Sequence, residues 1–244
     1  MKLALAAFLM MMLGAGLPVV AQEGEPAAPT AAEILAAMDE AMNFPEGTMV
    51  LHFEDLKAGG TGRRLEARVL YALDAGTLVE FLSPEREKGK RVLMIGDSMW
   101  MGSPGVSRPV RLSGKDSFMG TSFTNDDVMN FTKADDYEAR LLSTDANGWT
   151  LELSARKKSL PYPRVIAVVD RAYLPVRLVM FALSGQEAKK VEFGEVRSFE
   201  GKLRPATMTV RDAMTAGNRT VVSFLSIRAG RVDRARLSPA GFMK

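Results

Sequence analysis

LEARVLYALDAG, residues 65–76, decides the fold. Leu65, Ala67, Val69, Tyr71 and Leu73 alternate with Glu66, Arg68, Leu70 and Ala72, and Asp74-Ala75-Gly76 follows as a turn. Successive side chains of a strand point to opposite faces, so one apolar face at period two is the pattern of a half-buried antiparallel strand. The same period recurs outward along the chain. Met49, Leu51 and Phe53 precede it; Trp149, Leu151 and Leu153, then Ala206, Met208 and Val210, follow. Gly59-Gly60, Ala146-Asn147-Gly148, Ser184-Gly185 and Ala216-Gly217-Asn218 supply the turns between such runs. The reading is a mainly β protein with a few α-helices. Val92–Ile95, Val165–Val169 and Leu178–Phe181 are apolar at both parities, which predicts a sheet whose second face is also covered or lines a cavity. The slip of apolar parity from Val191 and Phe193 to Val196 predicts a bulge at Gly194.

Two helices are expected against this sheet. Thr30-Ala31-Ala32-Glu33 has capping-box spacing, and Ile34, Met38 and Met42 follow at helical spacing before Pro45, placing an amphipathic helix at about 30–43. Thr124-Asn125-Asp126-Asp127 precedes Val128, Met129 and Phe131 as the start of a short second helix, its aspartates well placed at the N-terminal end of the helix dipole.

The start of the chain reads as a secretory signal peptide over residues 1–21. Lys2 is followed by an apolar run and then by Val19-Val20-Ala21, a small-residue ending. Residues 22–29 (QEGEPAAP) read as a flexible leader, and 30–244 as a single domain. The chain has no cysteine, which excludes disulfides, thiol catalysis, Cys-based metal sites and lipidation of a new N-terminal Cys. A formal net charge of +3, with no long block of one sign, argues against a nucleic-acid binder held by electrostatics.

No enzyme signature survives inspection. His52 is the one histidine, and strand alternation puts it with Glu54 on the face opposite Leu51 and Phe53. Asp126 and Asp127 diverge by about 100° on a helix and are better explained as capping residues than as a metal or acid–base pair. Gly102-Ser103-Pro104-Gly105 lacks the Lys-Ser/Thr ending of a phosphate loop. No cofactor or metal is expected. What remains is apolar: sixteen methionines, four of them within residues 1–21, in a chain where Met can refill irregular gaps or adapt to varied ligands. Met94, Met99, Met101, Met119, Met129, Met180 and Met208, with Trp100, Phe118, Phe123 and Phe131, are candidates for a cavity wall. Arg108, Arg111 and Lys115 are candidates to meet a headgroup or a partner.

The run from Arg91 to Phe131 resembles the LolA-like outer-membrane lipoprotein-sorting proteins. The resemblance lies in Gly96 with Met99-Trp100, Pro104, Arg108 with Arg111, Ser117-Phe118-Met119-Gly120 with Phe123, and Asp126-Asp127. Tyr162-Pro163-Arg164 through Leu174-Pro175-Val176, and Leu203-Arg204-Pro205 through Thr220, are similar to later strands of that family. The resemblance implies a single curled antiparallel sheet forming an incomplete β-barrel closed by helical lids, with acyl chains on its concave side. It further implies a non-enzymatic periplasmic carrier of lipoprotein or phospholipid cargo, served by an inner-membrane ABC transporter and touching membranes only transiently. Two other readings stand beside it: a periplasmic lipid-sensing regulatory module of similar half-barrel fold, and a lipid hydrolase, for which His52 is poorly placed.

Overall fold

The computed structural model describes residues 28–60, 62–129, 134–213, 215 and 217–243. The expected signal peptide, most of the expected leader, and Phe131 lie outside the described residues. Among the described residues thirteen strands form one antiparallel sheet. Six lie before its midpoint in the chain: β1 (Glu46–Leu56), β2 (Gly62–Ala72), β3 (Gly76–Ser83), β4 (Arg91–Ile95), β5 (Ser98–Gly102) and β6 (Val110–Arg111). Seven follow: β7 (Tyr137–Asp145), β8 (Gly148–Ala155), β9 (Arg164–Asp170), β10 (Pro175–Phe181), β11 (Glu187–Phe199), β12 (Lys202–Asp212) and β13 (Arg219–Ala229). Each group is a meander of neighbouring hairpins, and the two join where β1 pairs with β13, leaving β6 and β7 as the edges of an open sheet. Consecutive strands joined by short turns pair with their sequence neighbours, so local turn chemistry specifies most of this topology.

The inward face carries the period-two residues. Leu65, Ala67, Val69 and Tyr71 of β2, Leu151 and Leu153 of β8, and Val210 of β12 all enter one large core. Leu73 departs from its expected place: β2 ends at Ala72, and Leu73 sits exposed in the turn. Two helices cover this face. The first, α1 (Ala31–Met42), begins with the expected capping box, in which Thr30 and Glu33 satisfy each other's backbone N–H groups. It buries Ile34, Leu35 and Met38 and lies against β7 and β12. Lys202 Nζ donates to the carbonyls of Glu40 and Asn43, at 3.2 and 3.3 Å, where the helix leaves acceptors free. The second, α2 (Asn125–Met129), belongs to the connection between the two edge strands and is capped by Thr124.

The doubly apolar runs have two different explanations. In β4, Val92 and Met94 face the main core, whereas Leu93 and Ile95 join a second cluster with Leu70, Leu78 and Trp100. The chain after β13 covers that outer cluster through Val232, Leu237, Phe242 and Met243. In β9 and β10, Val165, Ala167, Val169, Leu178 and Met180 are core, but Ile166, Val168, Val179 and Phe181 remain half-buried on the outer face. The Arg164 guanidinium stacks 4.3 Å over Phe181 and shields one of them. The bulge expected at Gly194 is absent as a register shift: β11 and β12 keep the same pairing on either side. Instead Glu195 adopts a left-handed backbone (φ 50°) where the ladder is locally interrupted, and Val196 just beyond it is exposed.

Candidate ligand-binding cavity

Between the sheet and its helices lies a cavity of about 640 Å³. Ligand pockets usually run from about 300 to 1,000 Å³ and are largely apolar. Its floor is the inward face of the central strands: Met49, Leu51 and Phe53 of β1, Val69 and Tyr71 of β2, Val222 and Phe224 of β13, and Met208 of β12. Met38 and Met42 of α1 and the following Phe44 form one wall, and Phe118, Phe123 and Val128 form another. The cavity extends to the turns at Leu73–Thr77 and Ile95–Asp97.

The wall made by residues 118–128 is fastened by polar contacts. Arg63 Nη1 donates to the Met119 carbonyl at 2.7 Å, and its Nη2 pairs with Glu87 at 2.9 Å. Lys57 donates to the Gly120 carbonyl at 3.2 Å and pairs with buried Asp55 at 2.9 Å. The Thr220 hydroxyl donates to Asp55 and accepts from the Ser122 N–H. Deeper in, Lys189 Nζ donates to Asp127 Oδ2 and to the Ser122 carbonyl, both at 2.5 Å, while Tyr162 Oη donates to Asp127 Oδ1 at 2.5 Å. Burial, with Asp127 alongside, drives the Tyr162 hydroxyl well above its ordinary pKa, so this phenol stays a donor. Burial likewise raises Asp126, with the Asp127 charge adding to it.

Arg204, in the cavity wall, has no counter-charge among the described residues. Arg204 is 4% exposed, and its guanidinium lies 4.8 Å over the Phe224 ring. Its Nε is buried with no hydrogen-bond partner, and the nearby Tyr71 hydroxyl is also buried and unpartnered. Burial lowers the Arg204 pKa to about 10 and raises that of Tyr71.

Of the residues expected from sequence, Met94, Phe118, Phe123 and Met208 border the cavity. Met99 and Met180 are buried in the same core without bordering it, and Met101 and Met119 pack on that core half-buried. Trp100 lies on the other face of the sheet, in the cluster covered by the C-terminal segment. Met129 ends α2 with its side chain outside the described part, as is Phe131 altogether. Arg108, Arg111 and Lys115 are exposed; Arg111 Nη2 donates to Ser98 Oγ at 3.1 Å. His52 is half-buried beside Glu66 and Ser223, on the face away from Leu51 and Phe53. Among the described residues no three His, Asp or Glu groups stand together to hold a metal, and no helix is long and apolar enough to cross a membrane. Sequence reasoning missed Tyr71, Arg204, Phe193 and Phe224 as cavity residues. Arg204 was detectable: it shares strand parity with Ala206, Met208 and Val210, a charge on an apolar face.

A protein-family model, described as that of an uncharacterized protein, matches residues 74–240, well over half of the chain. The chain belongs to that family. Its fold is that of the LolA superfamily. A LolA superfamily protein from Nitrosomonas europaea is similar at 24% identity, over 86% of this chain and 98% of that one, with a TM-score of 0.75. A domain from Vibrio parahaemolyticus assigned to outer membrane lipoprotein sorting is similar at 18% identity, over 88% and 98%, with a TM-score of 0.74. A DUF1329 family protein from Desulfovibrio piger is similar at 20% identity, over 85% and 95%, with a TM-score of 0.74. No curated protein matches the sequence. The LolA fold accounts for the open sheet, whose edges β6 and β7 do not close on each other and whose inward face is covered by α1 and α2.

Proposed function

We propose that this protein is a non-enzymatic periplasmic carrier that takes acyl chains of a lipoprotein or lipid into its cavity and moves them between membranes. The observation that carries this reading is the cavity of about 640 Å³ between sheet and helices, walled by Met, Leu, Val and Phe side chains. Each methylene moved from water into such a wall gains about 0.8 kcal/mol, so even partial enclosure of one chain gives useful affinity. Met38, Met42, Met49, Met94 and Met208 border the space, and unbranched thioether side chains can refit around chains of different shape. The Vibrio domain's assignment to lipoprotein sorting supports the same cargo class. An inner-membrane ABC transporter as donor, and exposed Arg108, Arg111 and Lys115 as the contact with donor or headgroup, belong to this proposal.

The test is native mass spectrometry of the protein purified from the periplasm of its host, followed by lipid extraction. Co-purifying phospholipid or acylated peptide is the expected result. An apo mass that stays unchanged on adding phospholipid or acylated peptide would overturn the carrier and favour a regulatory module.

A further inference from the structure

Charged residues break the apolar face of the sheet at several places, and most are neutralised. Asp55 shares its face with Leu51 and Phe53 and pairs with Lys57; Lys189 shares its face with Val191 and pairs with Asp127; Arg63 shares its face with Leu65 and pairs with Glu87. Arg204 shares its face with Ala206 and Met208 and meets no carboxylate among the described residues. A buried charge without a counter-charge is costly, and natural proteins retain one chiefly where something else completes it. Phe224 occupies one face of the guanidinium at 4.8 Å, and along its in-plane edge the Nε–H has no acceptor among the described residues. That edge is the part of arginine that grips a carboxylate or phosphate with two parallel hydrogen bonds. The Tyr71 hydroxyl beside it is a second donor without an acceptor. A Cβ at Gly47 would lie 2.4 Å from the Arg228 carbonyl oxygen and 3.1 Å from that hydroxyl, so only glycine fits beside it.

We propose that Arg204 and Tyr71 bind the acidic group, carboxylate or phosphate, of an amphiphile whose acyl chain fills the cavity. The inference rests on the carrier reading and sharpens it. A neutral acyl glyceride would leave the guanidinium unpaired, whereas an acidic amphiphile seats its head inside and satisfies both orphaned donors at once.

The experiment is calorimetric titration of the delipidated protein with laurate, dodecyl phosphate, dodecanol and inorganic phosphate. Wild type should bind laurate or dodecyl phosphate about tenfold or more tightly than dodecanol, the effect of a charged hydrogen bond made in an apolar site. Arg204→Gln should bind acid and alcohol alike, Arg204→Lys should keep part of the preference, and Tyr71→Phe should lose a smaller share. If Arg204→Gln fails to fold, the wild-type comparison and Tyr71→Phe still decide. Equal binding of laurate, dodecyl phosphate and dodecanol by wild type would overturn this inference while leaving the carrier standing. Inorganic phosphate bound as tightly as dodecyl phosphate would overturn the amphiphile as ligand. No binding of any chain would overturn both.

Discussion

Lys189 and Asp127 form an ion pair at 2.5 Å with both side chains buried, joining β11 to α2. Asp127 also accepts from Tyr162 Oη and, within its own helix cap, from the Thr124 N–H, so one carboxylate ties the wall of the cavity to two separate stretches of chain. Removing one member of such a pair leaves a buried charge uncompensated, at a cost of about 3–5 kcal/mol. Lys189→Met and Asp127→Leu are each expected to destabilise by about that much, and the double variant by clearly less than their sum. Urea denaturation of the four proteins measures the cycle; additive costs would show that the two side chains are not coupled.

Alkaline unfolding should report the buried tyrosines. Burial, with Asp136 adding, pushes the Tyr137 hydroxyl up to about 12 from its ordinary 10.0, and it donates to the Tyr162 carbonyl at 3.1 Å. A phenol whose pKa is raised on folding stabilises the fold fully below its unfolded value, and that contribution is lost as the pH climbs through the folded value. Stability should therefore fall between pH 10 and about 12, by about 3 kcal/mol at most from this group. Tyr137→Phe should be less stable at neutral pH but flatter across that window. Urea midpoints at successive pH values check this, and an unchanged slope would count against the assignment.

The C-terminal segment is structural. Phe242 is fully buried against Leu70, Leu78 and Leu93, and its carbonyl accepts from Arg91 Nη1 at 3.0 Å. Gly102 gives it room, since a Cβ there would meet the Met243 sulfur. Phe242→Ala should cost about 3–5 kcal/mol and lower the melting temperature by about 6–20 °C if the fold survives. Thermal melts followed by circular dichroism provide the measurement; a shift of only a degree or two would mean the segment is dispensable.

Filling the cavity should separate binding from stability. Met208 is half-buried and borders the empty space, so Met208→Trp has room to extend into it. Lipid uptake should fall several-fold while stability changes by less than about 1.5 kcal/mol, unlike an insertion into a filled core. His52→Ala, on the other face, should leave uptake intact and stability within about 0.5 kcal/mol. Retained uptake by Met208→Trp, read by native mass spectrometry, would place the ligand elsewhere.

Much of this was legible in the chain. The alternation of residues 65–72 identified β2 and its inward face, Thr30 with Glu33 located the start of α1, and Thr124 with Asp127 located α2. These are local signals, because strand period and helix caps depend on residues within a few positions. Trp100 shows the limit. Its neighbours Met99 and Met101 lie on the main core, while Trp100 packs under a segment more than a hundred residues later. Alternation separates the two faces of a strand but does not say which face another part of the chain will cover.

By itself, then, the sequence determined the strands with a clear apolar period, several of their turns, the two capped helices and the absence of any thiol chemistry, since each follows from side-chain period, cap chemistry or composition. Only the tertiary structure decided which inward charges are neutralised. Asp55, Lys189 and Arg204 look alike along the chain as charged residues at core parity. Lys57 answers Asp55 from two residues along the chain, Asp127 answers Lys189 from 62 residues away, and no carboxylate among the described residues answers Arg204, so distances across the folded sheet, not local pattern, separate the last two. That difference sets Arg204 apart as a buried charge in the cavity wall and is the ground for proposing it as the anchor of an acidic group.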